Sequence, residues 1–305
     1  MHFPSFLFII LLFLLLLPLL IISPPNLHLF RYYRIANSSP HQLRSSDQLY
    51  GKRPRVSTPH RVIVSMTTTP FRIQHLHYSL LSLLDQSRRV DQINLCIPYH
   101  MKRSGLPYNI PEHLESLENI KIIRCQDSGP ITKLLPSLSA EHNNPDTKII
   151  YLDDDRIYGY TTVEDLVAAS EKYPNFAICN WGWKIPSDRN FVTHDRFPHI
   201  AFEYLFDSGF VDIIEGCEGC LVKPKFFNQS LYESHKAPPE VFFVDDIWIS
   251  GNLALNLIPR YRIPLKLSAR GLPKFPRPSQ DKPLHSLNYN GHNNNIAIKY
   301  FENYW

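Results

Sequence analysis

The sequence predicts an α/β domain in which helices flank a mostly parallel sheet. Short runs of β-branched and apolar residues alternate with segments whose apolar residues recur at helical spacing, the pattern of βαβ units. Apolar residues make up 44% of the 305 residues, which excludes a mostly disordered chain. No repeat of about 20 to 50 residues is visible, which argues against a solenoid or a propeller.

Strands and helices are predicted to alternate between residues 61 and 179. β-Branched and apolar runs predict strands over residues 61–66, 93–97, 120–125, 148–152 and 176–179. Helical periodicity predicts a helix over 73–84, and a second helix is expected to begin over 131–138. Thr161 and Glu164 fit a capping box, which predicts a third helix after them.

Residues 3–22 are almost continuously apolar and carry no charge. As a helix they would span about 30 Å, the thickness of membrane hydrocarbon. They therefore predict an uncleaved transmembrane anchor over residues 1–23. A cleaved signal peptide is the alternative, but the segment lacks a basic n-region and the sequence Ser23-Pro24-Pro25 is a poor cleavage site.

Residues 24–60 show no sustained periodicity and predict an extended, mobile stem before a domain over 61–305. The first sixty residues hold six basic residues and one acidic residue, so the domain itself is nearly neutral. A neutral domain does not support nucleic-acid binding. The basic residues after the anchor favour a cytosolic domain, whereas sequons at Asn37 and Asn228 favour a lumenal, glycosylated one.

Polar clusters follow three of the predicted strands directly, at Thr67–Thr69, Asp127–Lys133 and Asp153–Asp155. In open α/β sheets, ligands bind outside the carboxyl ends of the strands. We therefore expect the three clusters to converge on one crevice, although 86 positions separate the first cluster from the last.

The triplet Asp153-Asp154-Asp155 follows the apolar run KIIYL. Adjacent carboxylates repel one another unless water or a cation compensates them. Alternate side chains at a strand end point to the same side, so Asp153 and Asp155 can face one ligand. Their hard oxygens suit Mg²⁺ or Mn²⁺, which bridge substrate diphosphates. An exposed acidic turn is the alternative.

Further candidates each have a structural alternative. Lys133 could neutralise a phosphate or lie at the surface beside a Gly-Pro turn. The apolar stretch VFFVDDIW contains Asp245 and Asp246, and burial would raise a carboxylate pKa and suit a general base, but a helix N-terminus explains the same pair. Late histidines, His285 and His292, are candidate metal ligands.

Cys217 and Cys220 have the spacing of half a zinc site, but no second ligand pair accompanies them. A structural thiol pair, or a strained local disulfide in a lumenal domain, is favoured instead. The run Gly216–Gly219 predicts a tight turn that lets the backbone approach a ligand. Trp181 and Trp183 are interpreted as packing residues, with a sugar platform as the alternative.

Taken in order, the anchor, the stem and the motifs SMTTTP with Arg72, DSGPITK, YLDDD and VDDIW resemble the glycosyltransferases of the GT-A fold. That fold is a Rossmann-like α/β domain, and the resemblance covers residues 61–305. It implies a metal-dependent transferase that moves a sugar from a nucleotide-diphosphate donor to a hydroxyl of a glycan, glycoprotein or glycolipid. It also implies a type II Golgi membrane protein with a lumenal catalytic domain.

The resemblance implies a role for each matching residue. Thr67, Thr68 and Arg72 would lie near the base and ribose of the nucleotide, and Lys133 near the nucleotide or its diphosphate. The roles implied for the acidic and late residues are Asp153 at the ribose or metal, Asp154 supporting the loop, Asp155 on Mn²⁺ or Mg²⁺, Asp246 (or Asp245) as catalytic base of an inverting reaction, and His292 (or His285) as a late metal ligand.

Two other classes of protein compete with this interpretation. Phosphatases of the haloacid-dehalogenase type also place two aspartates after a strand. They usually have Thr or Val where this chain has Ile157, and their motif follows an N-terminal strand, whereas three strands precede the triplet here. A non-catalytic anchored protein that binds sugars or nucleotides is the other alternative, although it would be expected to lose the acidic residues that this chain keeps.

Overall fold

The computed structural model describes residues 24–55, 58–193, 207–266, 268–273, 284–288 and 291–305. The predicted anchor over 1–23 lies outside these ranges. Within them, none of the helices combines the length and the apolar character that crossing a membrane requires.

The chain forms an α/β fold. Its helices and strands, in chain order, are α1 (Pro24–Ala36), α2 (Gln42–Lys52), β1 (Val62–Thr67), α3 (His77–Leu84), β2 (Gln92–Pro98), α4 (Glu112–Glu115), β3 (Ile120–Cys125), α5 (Leu135–Ala140), β4 (Lys148–Leu152), β5 (Arg156–Ile157), α6 (Thr162–Lys172), β6 (Ala177–Cys179), β7 (Gly182–Trp183), β8 (Gly209–Phe210), β9 (Ile213–Ile214), β10 (Cys220–Val222), α7 (Asp245–Leu255), β11 (Arg260–Arg262), β12 (Leu272–Pro273), α8 (Leu284–Leu287) and α9 (His292–Tyr300). Single 3₁₀ turns precede α3 and α5, so the two helices predicted there begin with a tighter turn.

The main sheet of the described residues has eight strands in the order β3-β2-β1-β4-β10-β6-β11-β8. Strand β1 pairs in parallel with both β2 and β4, and β2 pairs in parallel with β3. Strand β10 is antiparallel to both of its neighbours, while β11 is parallel to β6 and antiparallel to β8. The predicted α/β class with a mostly parallel sheet is confirmed.

The central strands β1 and β4 are buried on both faces, which explains why their sequences are mostly apolar. On β4, Ile150 and Leu152 pack into a core with α1, α2, α3 and α6. The alternate residues Ile149 and Tyr151 pack into a second core with α5, α7 and α9. All five predicted strands are present, each within one residue of its expected limits.

Helix α6 begins where it was predicted, but the capping box does not form. The Thr161 hydroxyl donates to Asp165 Oδ2 at 2.8 Å and makes no bond to a backbone amide of the first turn. The Glu164 carboxylate accepts a hydrogen bond from the Ser87 hydroxyl instead of reaching back to Thr161. Tertiary contacts therefore replace the local cap.

Residues 24–52 differ from the extended stem that their sequence predicted, because they form α1 and α2 and pack on the domain. Arg31 donates to the carbonyl oxygens of Ser82 and Tyr158, at 2.8 and 2.6 Å. Leu43 is fully buried. Buried apolar positions are too sparse here to produce a periodic signal, and the helices gain their stability from tertiary packing.

Candidate functional site

A cavity of about 630 Å³ opens at the carboxyl ends of β1 and β4. Residues of all three predicted polar clusters line it: Thr67, Thr68, Thr69, Asp127, Gly129, Pro130, Lys133, Asp153, Asp154 and Asp155. The convergence expected from the strand ends is therefore confirmed. Arg72, Asp245 and Asp246 line the same cavity.

The three aspartates after β4 have different neighbours. Asp153 Oδ1 accepts a hydrogen bond from Lys133 Nζ at 2.6 Å. Asp154 is nearly buried, accepts from the Thr68 hydroxyl and pairs with Arg72 Nη1 at 2.8 Å. Asp155 lies 3.4 Å from the same guanidinium nitrogen. Asp153 and Asp155 thus both face the cavity, each beside a different cation, while Asp154 ties the loop to the end of β1.

Burial and the neighbouring cations act in opposite directions on the pKa values of Asp153 and Asp154. Burial alone would raise the pKa of Asp153, but the Lys133 ammonium outweighs it and holds that pKa below the ordinary value. Burial raises the pKa of Asp154 to about 6, even though Arg72 acts in the opposite direction. Asp153 is therefore an anion at neutral pH, available to a cation in the cavity.

Lys133 is a buried ammonium held between two carboxylates. Its Nζ lies 2.6 Å from Asp153 Oδ1 and 2.9 Å from Asp245 Oδ2. Burial would lower its pKa, but the surrounding carboxylates raise it well above the ordinary value, so it stays charged. Lys133 Nζ also lies close to Gly216, where an added Cβ would be 2.9 Å from Nζ. The surface-lysine alternative is therefore wrong, because the side chain is inside the site.

Asp245 and Asp246 are the first two residues of helix α7, and both also line the cavity. The pair therefore lies at a helix N-terminus and in the candidate site at once. Asp246 Oδ1 accepts a hydrogen bond from the backbone N–H of Gly216 at 3.0 Å. Burial, followed by the charge of Asp245, raises the pKa of Asp246 well above its usual range. A carboxylate of that kind can take up a proton at neutral pH, as a general base must.

The predicted tight turn at Gly216 is present, and its amide binds Asp246 while its missing Cβ makes room for Lys133. Sequence reasoning missed the residue before it. Glu215 lines the cavity and accepts a hydrogen bond from the indole N–H of Trp183 at 2.8 Å. Glu215 follows the two-residue strand β9, which pairs antiparallel with β7 outside the main sheet, so the rule for the ends of parallel strands does not apply to it.

Part of the cavity wall is apolar and aromatic, with Trp183, Phe191 and Phe243 among the lining residues. Trp183 is nearly buried, which agrees with its interpretation as a packing residue, although it also faces this space. Asn294 lies here too, and no periodic or strand-end signal in the sequence marked it. Its amide nitrogen has no hydrogen-bond partner within the described part of the chain.

The structure does not bring His292 to the cavity. This residue begins helix α9 and is exposed, and the described wall includes Asn294 from that helix instead. The side chain of the other late candidate, His285, lies outside the described part of the chain.

The cysteine pair at 217 and 220 is present as free thiols, so the local disulfide considered for it is not formed. Burial raises the pKa of the Cys217 thiol well above its ordinary value, as does the nearby Glu215 carboxylate. Cys220 is buried in β10, where it pairs across the strands with Cys179. Both thiols therefore fit the structural alternative.

The oxygen donors of the site fit a hard divalent cation that arrives with a substrate. Among the described residues, no three His, Cys, Asp or Glu side chains form a complete metal site on their own. Mg²⁺ and similar ions, however, are often held by one or two carboxylates together with substrate phosphates. Asp153 and Asp155 can supply two such carboxylates. The described residues that line the cavity include seven acidic side chains and three basic ones, so acidic groups outnumber basic groups there.

Comparison with known proteins finds no family model and no curated protein that matches the chain. The function of the chain must therefore be inferred from the geometry of the cavity.

Proposed function

We propose that the chain is a metal-dependent glycosyltransferase of the GT-A type, which moves a sugar from a nucleotide-diphosphate donor to a hydroxyl of a glycan, glycoprotein or glycolipid. One observation carries the proposal: carboxylates from β4 and from α7 face one cavity at the carboxyl ends of parallel strands, and the buried ammonium of Lys133 joins them. In the proposed reaction, this arrangement would bring an anionic leaving group close to a candidate base.

The donor nucleotide would occupy the end of the cavity formed by Thr67, Thr68 and Arg72. Lys133, whose ammonium is buried in the cavity wall, would offset part of the charge of the diphosphate. Mn²⁺ or Mg²⁺, held by Asp153 and Asp155, would supply further charge neutralisation for the departing diphosphate when bound.

Asp246 would act as the base of an inverting transfer. Its raised pKa and its place in the cavity wall suit removal of the proton from an acceptor hydroxyl as that oxygen attacks the anomeric carbon. The Gly216 N–H holds one of its oxygens and fixes the direction of the carboxylate. Asp245, the alternative base, already pairs with Lys133, which favours Asp246 for this role.

The apolar segment over 1–23 would anchor the enzyme in the membrane, as a type II protein of the Golgi with a lumenal domain. Both sequon asparagines, Asn37 and Asn228, are exposed on the described surface and so are accessible to glycosylation. Glycosidase treatment of the protein from eukaryotic cells tests this placement, because a lumenal domain would lose mass when its glycans are removed.

The activity is tested by incubating the full chain with a panel of nucleotide sugars and Mn²⁺ and measuring the nucleoside diphosphate released. Release that requires the metal, stops with EDTA and is abolished in Asp155→Ala supports the proposal. Release that is unchanged in Asp155→Ala, or no turnover of any donor, would contradict it. Phosphate release from a phosphomonoester in place of donor turnover would indicate a phosphatase.

A further inference from the structure

Helix α1 exposes three large apolar side chains to solvent. Leu29, Phe30 and Tyr33 are 56%, 68% and 67% exposed. At 100° per residue they fall on one side of the helix, opposite the buried Arg31 and Ile35 that attach it to the domain. We call these three residues the outer face of α1. Contiguous apolar surface of this kind marks a place where something docks.

The chemistry of the outer face fits the boundary between lipid and water. Tyr and other amphipathic aromatic residues concentrate at that boundary, where an apolar ring is buried and a polar group stays hydrated. A helix that lies in a membrane surface also carries basic residues around its apolar side. Arg34 of the same helix is 57% exposed, and Arg44 and Lys52 are exposed on α2.

The position of the outer face in the chain indicates the same partner. The uncharged apolar segment ends at Ile22, and α1 begins at Pro24. Only eight positions separate Ile22 from Phe30, so the outer face cannot lie farther than about 28 Å from the end of that segment. The exposed Arg44 and Lys52 of α2 would attract anionic lipid to the same part of the domain.

We propose that the outer face of α1 lies in the interfacial layer of a lipid bilayer and holds the domain against the membrane. The proposal rests on the anchor that we propose for residues 1–23 and extends it. An anchor followed by a flexible stem would let the domain change its orientation relative to the membrane. Because α1 is fixed to the domain through Arg31 and Ile35, contact of its outer face with lipid would instead give the domain one orientation.

A photocrosslinking experiment on the full chain tests this contact. The chain is reconstituted in vesicles of phosphatidylcholine with a minority of phosphatidylserine, with Phe30→p-benzoylphenylalanine as the probe. The matched control is Leu257→p-benzoylphenylalanine, because Leu257 is 88% exposed and follows α7 on the opposite side of the sheet. After irradiation, mass spectrometry measures lipid attached to the chain.

We expect several times more lipid adduct at position 30 than at position 257. Equal labelling of the two positions, or no adduct at position 30, would overturn the proposal. A crosslink from position 30 to a second copy of the chain would overturn it as well, because the outer face would then be a dimer contact. Retention of the chain after a carbonate wash reports on the anchor separately: a retained chain without adduct contradicts the α1 contact alone.

Discussion

Lys133 links the two carboxylate groups of the site, because its ammonium touches Asp153 after β4 and Asp245 at the start of α7. The prediction that the polar clusters after the strands converge brought Lys133 and Asp153 together from sequence alone. It could not identify the second contact, because Asp245 reaches Lys133 only through the packing of α7 against the sheet. The contact between Tyr108 and the Thr68 carbonyl had no sequence signal either, since it comes from a loop.

We expect Lys133→Met to destabilise the protein by about 3–5 kcal/mol at neutral pH, since it leaves buried carboxylates without a counter-charge. Because the pKa of Asp153 is lowered in the folded protein, the Asp153 carboxylate adds stability at pH values above its ordinary pKa of 3.8. This stability is lost as the pH falls through the lower pKa of the folded state. The difference in free energy of unfolding between variant and parent should therefore become smaller at acidic pH. Denaturant unfolding at several pH values measures it.

The control for this variant is Lys236→Met, which breaks an exposed pair with Glu233. It should cost about 1 kcal/mol or less. Equal losses in the two variants would show that the buried ammonium does not hold the site together.

Asp246→Asn should reduce sugar transfer by about 10²-fold or more and leave nucleotide binding intact, because only proton removal is lost. In the parent, transfer should fall as the pH drops through the raised pKa of Asp246, since the protonated carboxyl cannot act as a base. The variant should lack this dependence. Steady-state rates across pH measure both effects, with the exposed Asp207→Asn as control. Undiminished transfer in Asp246→Asn would assign the base elsewhere.

At the scale of elements, β1, β2, β4 and β6 form because each is a largely apolar run that is almost entirely buried, whereas β3 lies at the sheet edge and is only partly buried. Helices α1 and α2 were not predicted, because they are held by few buried residues and by the hydrogen bonds of Arg31. Local sequence does not contain that information. The position of α9 against α7 depends in the same way on a tertiary contact, in which Gly251 meets the ring of Phe301.

Gly251→Ala should destabilise the protein by about 1–3 kcal/mol, although alanine is the better helix former, because overpacking outweighs propensity. A Cβ at this position would lie 2.2 Å from Cδ2 of the buried Phe301 ring. Thermal unfolding measures the loss. Gly209→Ala is the control, since a Cβ there meets no atom of the described residues within 4 Å. A neutral or stabilising Gly251→Ala would mean that α7 and α9 pack less tightly than described.

For the whole molecule, the structure moves the boundary of the domain. The sequence placed it at residue 61, but α1 and α2 contribute Ile35, Leu43 and Tyr50 to the core that contains α3 and β1. The folded unit therefore includes α1 and α2. The acidic triplet and the base candidate still belong to one domain, as the sequence predicted.

A chain that begins at residue 58 should accordingly be much less stable than one that begins at residue 24. Each large apolar side chain that loses its burial costs roughly 1.5–3 kcal/mol, so removal of α1 and α2 should cost several kcal/mol in total. For a protein of this size, that corresponds to a fall in melting temperature of about 10 °C or more. Differential scanning fluorimetry compares the two chains, and equal melting temperatures would show that α1 and α2 are dispensable.

The central claim is that the cavity binds a nucleoside diphosphate together with a divalent cation through the carboxylates after β4. Isothermal titration of the full chain with UDP and with GDP, in Mn²⁺ and in EDTA, tests it most directly. We predict that one nucleotide binds in Mn²⁺, that EDTA abolishes this binding, and that Asp155→Asn weakens it by about tenfold or more. If neither nucleotide binds, or if EDTA and Asp155→Asn leave the affinity unchanged, the central claim is contradicted.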